Sequence, residues 1–322
     1  MIPWKKGVWK YLLLIIFIGI LPYLINADYL IGTLAFTGIF SIVMFGLVLL
    51  TGYGDLLSLG HGAFFGIGVY ATGILTVKAG LPPIAAFLIG IIVSSMIACI
   101  IGVPALRLIG FLLAIATLGF GVIITIIWDE LIDITGGVSG LPGIPPFSLF
   151  GYIVKGDLQY YYLTWTIAVI LMILTVNIAN SRIGRALLAI QGDEEAADAM
   201  GINIFKYKLK IFVLSAAYAS LAGSLYAHYV GFASPAACDL MVSLMLPISL
   251  IIAGKKSVWG GIIGAILYVN VPILLEPVGD YNMVSFGMIL LLIMIFMPQG
   301  IVGGLESLFY KIKEKVFKLD TA

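Results

Sequence analysis

Residues Ile31–Leu50 read IGTLAFTGIFSIVMFGLVLL. Not one of these positions is charged. At 1.5 Å per residue, a helix of this length crosses a hydrocarbon core about 30 Å thick. Similar apolar runs lie on both sides of it: Tyr11–Ile25 before, then Gly60–Val77, Ile84–Leu106 and Phe111–Trp128 after. The second half of the chain adds Tyr162–Ala179, Ile211–Val230, Leu240–Ala253, Val258–Leu275 and Val284–Val302. Composition agrees, with 62% of the 322 residues hydrophobic and 10% charged, and a mean hydropathy of +1.17. A soluble domain carries about 25% charged residues. The expected fold class is an all-α polytopic membrane protein, residues 1–322 forming one transmembrane domain of about ten helices in the lipid bilayer.

The first run needs a separate check, because Lys5, Lys6 and Lys10 followed by an apolar stretch resemble a secretory signal. Its exit, Leu24-Ile25-Asn26-Ala27-Asp28, lacks an A-x-A cleavage pattern, and a second span follows at once. It is read as an uncleaved first span. Basic residues then orient the set. With the N-terminus in the cytoplasm and all ten runs crossing, only Lys78 and Lys155 of the 17 basic residues lie outside. Positive residues are retained on the cytoplasmic side, so both termini are expected inside. Leu240–Ala253 is short for a crossing and contains Pro247, which makes a broken or re-entrant segment the alternative.

Two loops are long. Residues 129–161 lie outside and include Thr135-Gly136-Gly137-Val138-Ser139-Gly140-Leu141-Pro142, a density of glycine and proline that specifies turns. Residues 181–210 lie inside and form the most polar stretch of the chain. The tail at 306–322 is basic, with Lys311, Lys313, Lys315 and Lys318 placed to meet anionic headgroups.

Several chemistries are excluded or unsupported. The net charge of +1 gives no field that would draw nucleic acid. Cys99 and Cys238 are far apart and make neither a disulfide framework nor a metal cluster. No Asp, Glu, Lys or Arg lies deep in a span, which weakens a proton-coupled carrier, since such carriers keep buried charges for use. Ala253-Gly254-Lys255-Lys256-Ser257 approaches a phosphate-binding loop, but Ser249 stands where glycine is needed and Lys256 where Ser or Thr is needed. No cofactor is expected on this chain, and any ATP and magnesium belong to partner subunits. His61 and His228 are isolated and read as packing residues.

Two segments stand out. Gly60, His61, Gly62, Phe64, Gly66 and Gly68 open the third span. Small residues at this spacing permit close helix approach, and a glycine-rich helix is also easily interrupted, as in the pathway-lining helices of transporters. Both readings stand for these six residues. The second segment is Gln191-Gly192-Asp193-Glu194-Glu195-Ala196-Ala197-Asp198-Ala199-Met200-Gly201. Asp193 suits a helix N-cap, Glu194 and Glu195 favour the positive end of the helix dipole, and Gly201 suits its C′ position. The spacing predicts a short, separately capped helix, of the kind that docks on a partner or merely connects two spans.

Glu195-Ala196-Ala197 followed by Gly201 resembles the EAA loop of bacterial ABC-importer permeases. The surrounding Ser181-Arg182-Ile183-Gly184-Arg185-Ala186-Leu187, then Met200-Gly201-Ile202-Asn203, is similar to the branched-chain amino acid permeases of the leucine/isoleucine/valine importer, the M-type subunit most closely. Leu57-Ser58-Leu59-Gly60-His61-Gly62-Ala63-Phe64-Phe65-Gly66-Ile67-Gly68, the outer Thr135-Gly136-Gly137 loop and Met297-Pro298-Gln299-Gly300 fit the same family, over roughly residues 30–305. The chain departs from it at Gly254-Lys255-Lys256-Ser257, where the family has a glycine-rich turn.

The resemblance implies an ABC-importer permease fold in the bacterial inner membrane, with no catalytic residue on this chain. It implies Asp193, Glu194, Glu195, Ala196, Ala197 and Gly201 as the element that couples to the ATPase. It also implies a second homologous permease subunit, two ATP-binding subunits and an extracytoplasmic solute-binding protein. Leucine, isoleucine or valine is the implied cargo. Urea or short-chain amides are the rivals within the family, and an autonomous carrier or channel, or a non-transporting membrane subunit, the rivals outside it.

Overall fold

The computed structural model describes residues 8–24, 28–149 and 151–277, together with 284–285, 287–288, 291, 295, 297 and 300–304. The chain opens with α1 (Val8–Leu24), then α2 (Asp28–Leu47), whose inner end continues as a π-helical turn, Val48–Tyr53. It continues through α3 (His61–Val77), α4 (Pro83–Ala105) and α5 (Phe111–Glu130). The outer loop holds a helical turn, α6 (Ile132–Thr135), and three two-residue strands, β1 (Leu141–Pro142), β2 (Ser148–Leu149) and β3 (Tyr152–Ile153). Next come α7 (Gly156–Asn180), α8 (Arg182–Gly192), α9 (Glu194–Ala199) and α10 (Ile204–Val230). After β4 (Phe232–Ala233) the described part closes with α11 (Leu240–Gly254) and α12 (Val258–Leu275).

Among the described residues seven helices are long and apolar enough to cross a membrane, and two more apolar helices are shorter. Nine of the ten apolar runs in the sequence are therefore helical. The tenth, at 284–302, is described only in part, and the basic tail at 306–322 lies outside the described residues. Two boundaries move. α7 begins at Gly156 and α10 at Ile204, both several residues before the apolar runs they contain. Asn203 explains the second shift: its side chain accepts a hydrogen bond from the Lys206 N–H at 2.9 Å, and the helix starts there despite Lys206, Lys208 and Lys210. Hydropathy marks the bilayer, whereas the cap marks the helix.

α10 is the hub, packed against α3, α4 and α2, while α2 also packs on α7 and α12. The α3–α10 seam is backbone on backbone. A Cβ at Gly68 would stand 2.0 Å from the Ser220 carbonyl oxygen, and one at Gly223 would stand 2.0 Å from that of Phe65. Lipid gives helices no hydrophobic reason to associate, so close packing and interhelical hydrogen bonds must hold them. Ser224 Oγ donates to the Gly68 carbonyl oxygen at 3.2 Å, and Ser220 Oγ donates to that of Gly90 in α4 at 3.0 Å. By contrast, α4 and α5 leave Leu88, Ile92, Met96, Ile100, Ile115, Ile123 and Ile126 exposed, an apolar surface suited to lipid or another subunit.

Two helices start below their membrane surface. At its outer end α3 meets Leu141 and Ile144 of the outer loop at Gly73, whereas Gly66 meets Cys238 and Gly62 meets Ser243. Seven residues of helix separate Gly73 from Gly66, so Cys238 lies about 10 Å below the outer loop. The chain reaches that depth through Ser234 and the 3₁₀ turn Pro235–Cys238, and only then begins α11. The short eighth run is thus preceded by a 3₁₀ turn, and the two together, Pro235–Gly254, are long and apolar enough to cross a membrane. From the other side, the Leu59 N–H donates to Thr117 Oγ1 at 3.0 Å, six residues into α5. Residues 54–60 therefore pass alongside α5 as irregular backbone before α3 begins. The glycine-rich block of α3 is itself unbroken helix, and the interruption precedes it.

Gly68→Ala and Gly223→Ala should each cost about 1–3 kcal/mol by overpacking the seam. Gly119→Ala, with open space around its Cβ, should be neutral. Thermal unfolding of the detergent-solubilised protein reads the difference.

Candidate functional site

The polar loop at 181–210 forms two short helices, α8 and α9, separated by the non-helical Asp193. Ser181 caps α8, its Oγ accepting from the Ile183 N–H at 3.0 Å. Gly184 allows the turn out of α7, since a Cβ there would collide with the Ala179 carbonyl oxygen. α8 buries Gly184, Ala186, Leu187 and Ile190 and turns Arg182, Arg185 and Leu188 outward. That stripe, at three- and four-residue spacing, seats the helix on α7, α10 and the π-helical end of α2.

α9 is capped at both ends as its sequence predicts. Asp193 Oδ1 accepts from the N–H groups of Glu195 and Ala196 at 2.9 and 3.1 Å. At the other end Gly201 adopts φ +80°. The Ile202 N–H reaches the Ala197 carbonyl oxygen at 3.1 Å and the Gly201 N–H reaches that of Asp198 at 2.8 Å, the double bond of a Schellman cap. Ala197 alone is buried, and it anchors the helix. Glu194 pairs with Lys208 and ties α9 to the first turns of α10. Glu195 and Asp198 are exposed, and neither pairs with a described residue. Met200, 82% exposed, and the partly exposed Leu188 and Phe205 extend this acidic edge into an apolar one. The arrangement offers charge and greasy surface to a partner and leaves its own caps satisfied.

A second connection runs from the same loop toward the spans. Gln191, near the end of α8, lies beside Asp55, which follows the π-helical turn of α2, and helps to lower its carboxyl. Asp55 also forms a 3.0 Å ion pair with Lys255 in the turn between α11 and α12. Partial burial tends to raise the Asp55 carboxyl, but the hydrogen bond and charge of Lys255, then Gln191 and Lys256, outweigh it and hold the carboxyl below its ordinary value. A lowered value keeps this carboxylate ionised throughout the neutral range, and the pair is lost only as pH falls through that lowered value. Asp55 is also the one non-glycine residue with positive φ among the described residues, at 50°. Beneath it, a Cβ at Gly52 would stand 2.0 Å from the Lys255 carbonyl oxygen.

The α3 block lies elsewhere and is wholly buried. His61 Nδ1 and Nε2 meet Ser58 Oγ at 3.0 Å and Ser215 Oγ at 2.7 Å, so two serines satisfy the ring. Phe64 packs edge-on to Phe212, with ring centroids 5.7 Å apart. Gly60 lies against Thr117, Gly62 against Ser243, Gly66 against Cys238 and Gly68 against Ser220. These are the close approaches that the small-residue spacing predicts. Among the described residues no group of three His, Cys, Asp or Glu side chains forms a metal site.

Comparison with known proteins bears directly on this geometry. Residues 29–298 match the family described as branched-chain amino acid transport system / permease component. The chain belongs to that family. It is 33% identical over 288 residues to the high-affinity branched-chain amino acid transport system permease protein LivM of Salmonella typhimurium, covering 82% of this chain and 68% of the relative. LivM of Escherichia coli is 32% identical over the same shares. LivH, a further permease of the E. coli system, is 31% identical over 146 residues, 44% of this chain and 47% of LivH. No solved structure matches the chain significantly.

The matched region, residues 29–298, includes both α9 and the turn at Lys255. Sequence reasoning missed the Asp55–Lys255 pair and the Glu194–Lys208 tie. The two lysines at 255 and 256 were visible as a departure from the family pattern, and Asp55 as a boundary charge. Nothing local in the sequence joins positions two hundred residues apart. Exposed ion pairs are worth about 0.2–1 kcal/mol. Asp55→Lys and Lys255→Asp should each lower the thermal midpoint slightly and impair transport more. The double reversal should restore both, measured as a double-mutant cycle on the assembled importer.

Proposed function

We infer that this chain is one permease subunit of an ATP-driven importer that carries branched-chain amino acids across a bacterial inner membrane. The observation that carries the reading is α9. It is a short, doubly capped helix held out by α8, anchored at Ala197, and presenting Glu195 and Asp198 with no described partner. Family membership supplies the rest of the assembly: two ATP-binding subunits that take α9 as their docking element, a homologous second permease, and an extracytoplasmic solute-binding protein. ATP and magnesium act on the partner subunits. Closure of the ATPases shifts the population between inward- and outward-facing arrangements of the spans, and differential contacts with α9 supply the bias.

Ten spans with both termini in the cytoplasm complete the proposed topology. It places α8, α9, Asp55 and Lys255 on one side, where the geometry also brings them together. It places Lys78, Lys155 and the β1–β4 pairing of the outer loop on the other. Gly60, His61, Gly62, Phe64, Gly66 and Gly68 then form the wall that holds α5, α10 and α11 around the transport path. Reporter fusions after residues 155 and 198 should read opposite sides of the membrane. The same side for both would overturn this topology.

Glu195→Lys should abolish leucine uptake and binding-protein-stimulated ATP hydrolysis while leaving membrane insertion intact. The measurement is labelled-leucine uptake in cells lacking this chain and supplied with the native or variant form. Isoleucine, valine, urea and acetamide serve as competitors. Uptake restored by the native chain and blocked by isoleucine and valine supports the reading. Normal uptake with Glu195→Lys would overturn the docking assignment, and competition by urea or acetamide instead would overturn the cargo.

A further inference from the structure

A cavity of about 340 Å³ opens between α2, α10, α11 and α12. That is the small end of the range for small-molecule sites, ~300–1,000 Å³. Phe36 and Phe40 of α2, Tyr226 of α10 and Tyr268 of α12 form its aromatic wall, with Met245 of α11 opposite. The rings make a continuous surface: Phe40 and Tyr268 have centroids 4.5 Å apart, and Phe36 and Tyr226 5.9 Å. Phe40 lies twelve residues along α2, about 18 Å from its outer end, so the cavity runs from the outer half toward the middle of the membrane.

The backbone at its edge decides what the cavity faces. Ala236 and Ala237 line it, and both belong to the 3₁₀ turn Pro235–Cys238 that descends below the outer loop. Ala236 is exposed. Backbone that is not α-helical is tolerated at membrane depth only where protein covers it or where it lines water, because lipid cannot satisfy its N–H and C=O groups. The N–H groups of Ala236 and Ala237 are bonded to Ser234 within the turn, and its exposed edge faces water or a neighbouring subunit, not lipid. Interrupted segments of this kind are where transporters meet their solutes.

The lining also selects. Tyr226 and Tyr268 supply the only polar side chains among the lining residues. An aliphatic side chain would be well covered there, while the charged ammonium and carboxylate of an amino acid, costlier to bury than neutral urea, must stay at the open mouth. We propose that this cavity is a solute subsite of the permease, taking the aliphatic side chain of an α-amino acid against Phe36, Phe40 and Met245, with the hydroxyls of Tyr226 and Tyr268 turned to its polar head. The assignment rests on the importer reading above, and adds to it the place where the cargo contacts this subunit.

Cysteine accessibility tests it. In a Cys99→Ser background, Ala237→Cys is introduced and the complete importer is reconstituted with its binding protein. Cys238 is 1% exposed, and the parent chain without the new cysteine controls for its reaction. A membrane-impermeant thiol reagent should label position 237. Leucine-loaded binding protein should slow labelling roughly tenfold when leucine stands at ten times its half-saturating concentration, and empty binding protein or urea should not. Ala236→Cys provides the same readout if the first variant fails to assemble. Labelling only by a lipid-soluble reagent would overturn the proposal, as would labelling that leucine does not slow. Leucine uptake by the native importer is measured in parallel. Transport without protection sinks the cavity alone, and absence of leucine transport sinks the importer reading with it.

Discussion

Where Gly68 meets Ser220 and Gly223 meets Phe65, α3 and α10 run backbone against backbone, and the remaining helices are arranged around that seam. It leaves no room for a Cβ on either side. Serine hydroxyls then stitch α10 to α3 and to α4. In a medium where burial of apolar surface gives helices no preference for each other, this proximity is what distinguishes an inside from an outside. Once the pair is fixed, α2 closes one side and α4 the other, and the apolar faces of α4 and α5 are left to lipid or a partner.

That tight centre is bordered by loosely organised backbone. Residues 54–60 enter from the face that carries α9 without forming helix, and the 3₁₀ turn Pro235–Cys238 enters from the opposite face. The two helices that follow, α3 and α11, begin at depth and meet near their starts at Gly62 and Ser243. The same chain thus combines a seam that resists change with two interrupted crossings that end against it. Asp55, Gln191 and Lys255 bridge these parts on the cytoplasmic side, linking the loop that carries α9 to the turn between α11 and α12.

Local chemistry was legible in the sequence and distant chemistry was not. Asp193 and Gly201 announced α9 because capping depends on a few neighbouring atoms, and the structure forms both caps at those residues. The spans were legible as uncharged runs, although the start of α10 was obscured by three lysines that the Asn203 cap overrides. The shortness of the eighth run was plain, but its cause lies in the contact of Cys238 with Gly66, which no local pattern encodes. The glycines of α3 signalled close approach without naming the partner. The cavity had no signal at all, since Phe36, Tyr226, Met245 and Tyr268 come from four separate helices.

The Glu194–Lys208 ion pair has a mechanical consequence. It fastens α9 to the first turns of α10, and α10 is a single rod of 27 residues with no proline. Such a rod is about 40 Å long. Tyr226, on the cavity wall, lies four residues from its far end. α9 and the aromatic wall are thus mounted on one stiff rod, clamped where Gly68 and Gly223 make their close approaches. A tilt of ~5° about that clamp moves the inner end by roughly 2 Å, and Tyr226, three residues beyond Gly223, by less than about 1 Å. The clamp therefore leaves the α9 end of the rod the long, mobile arm and holds the aromatic wall close to the pivot.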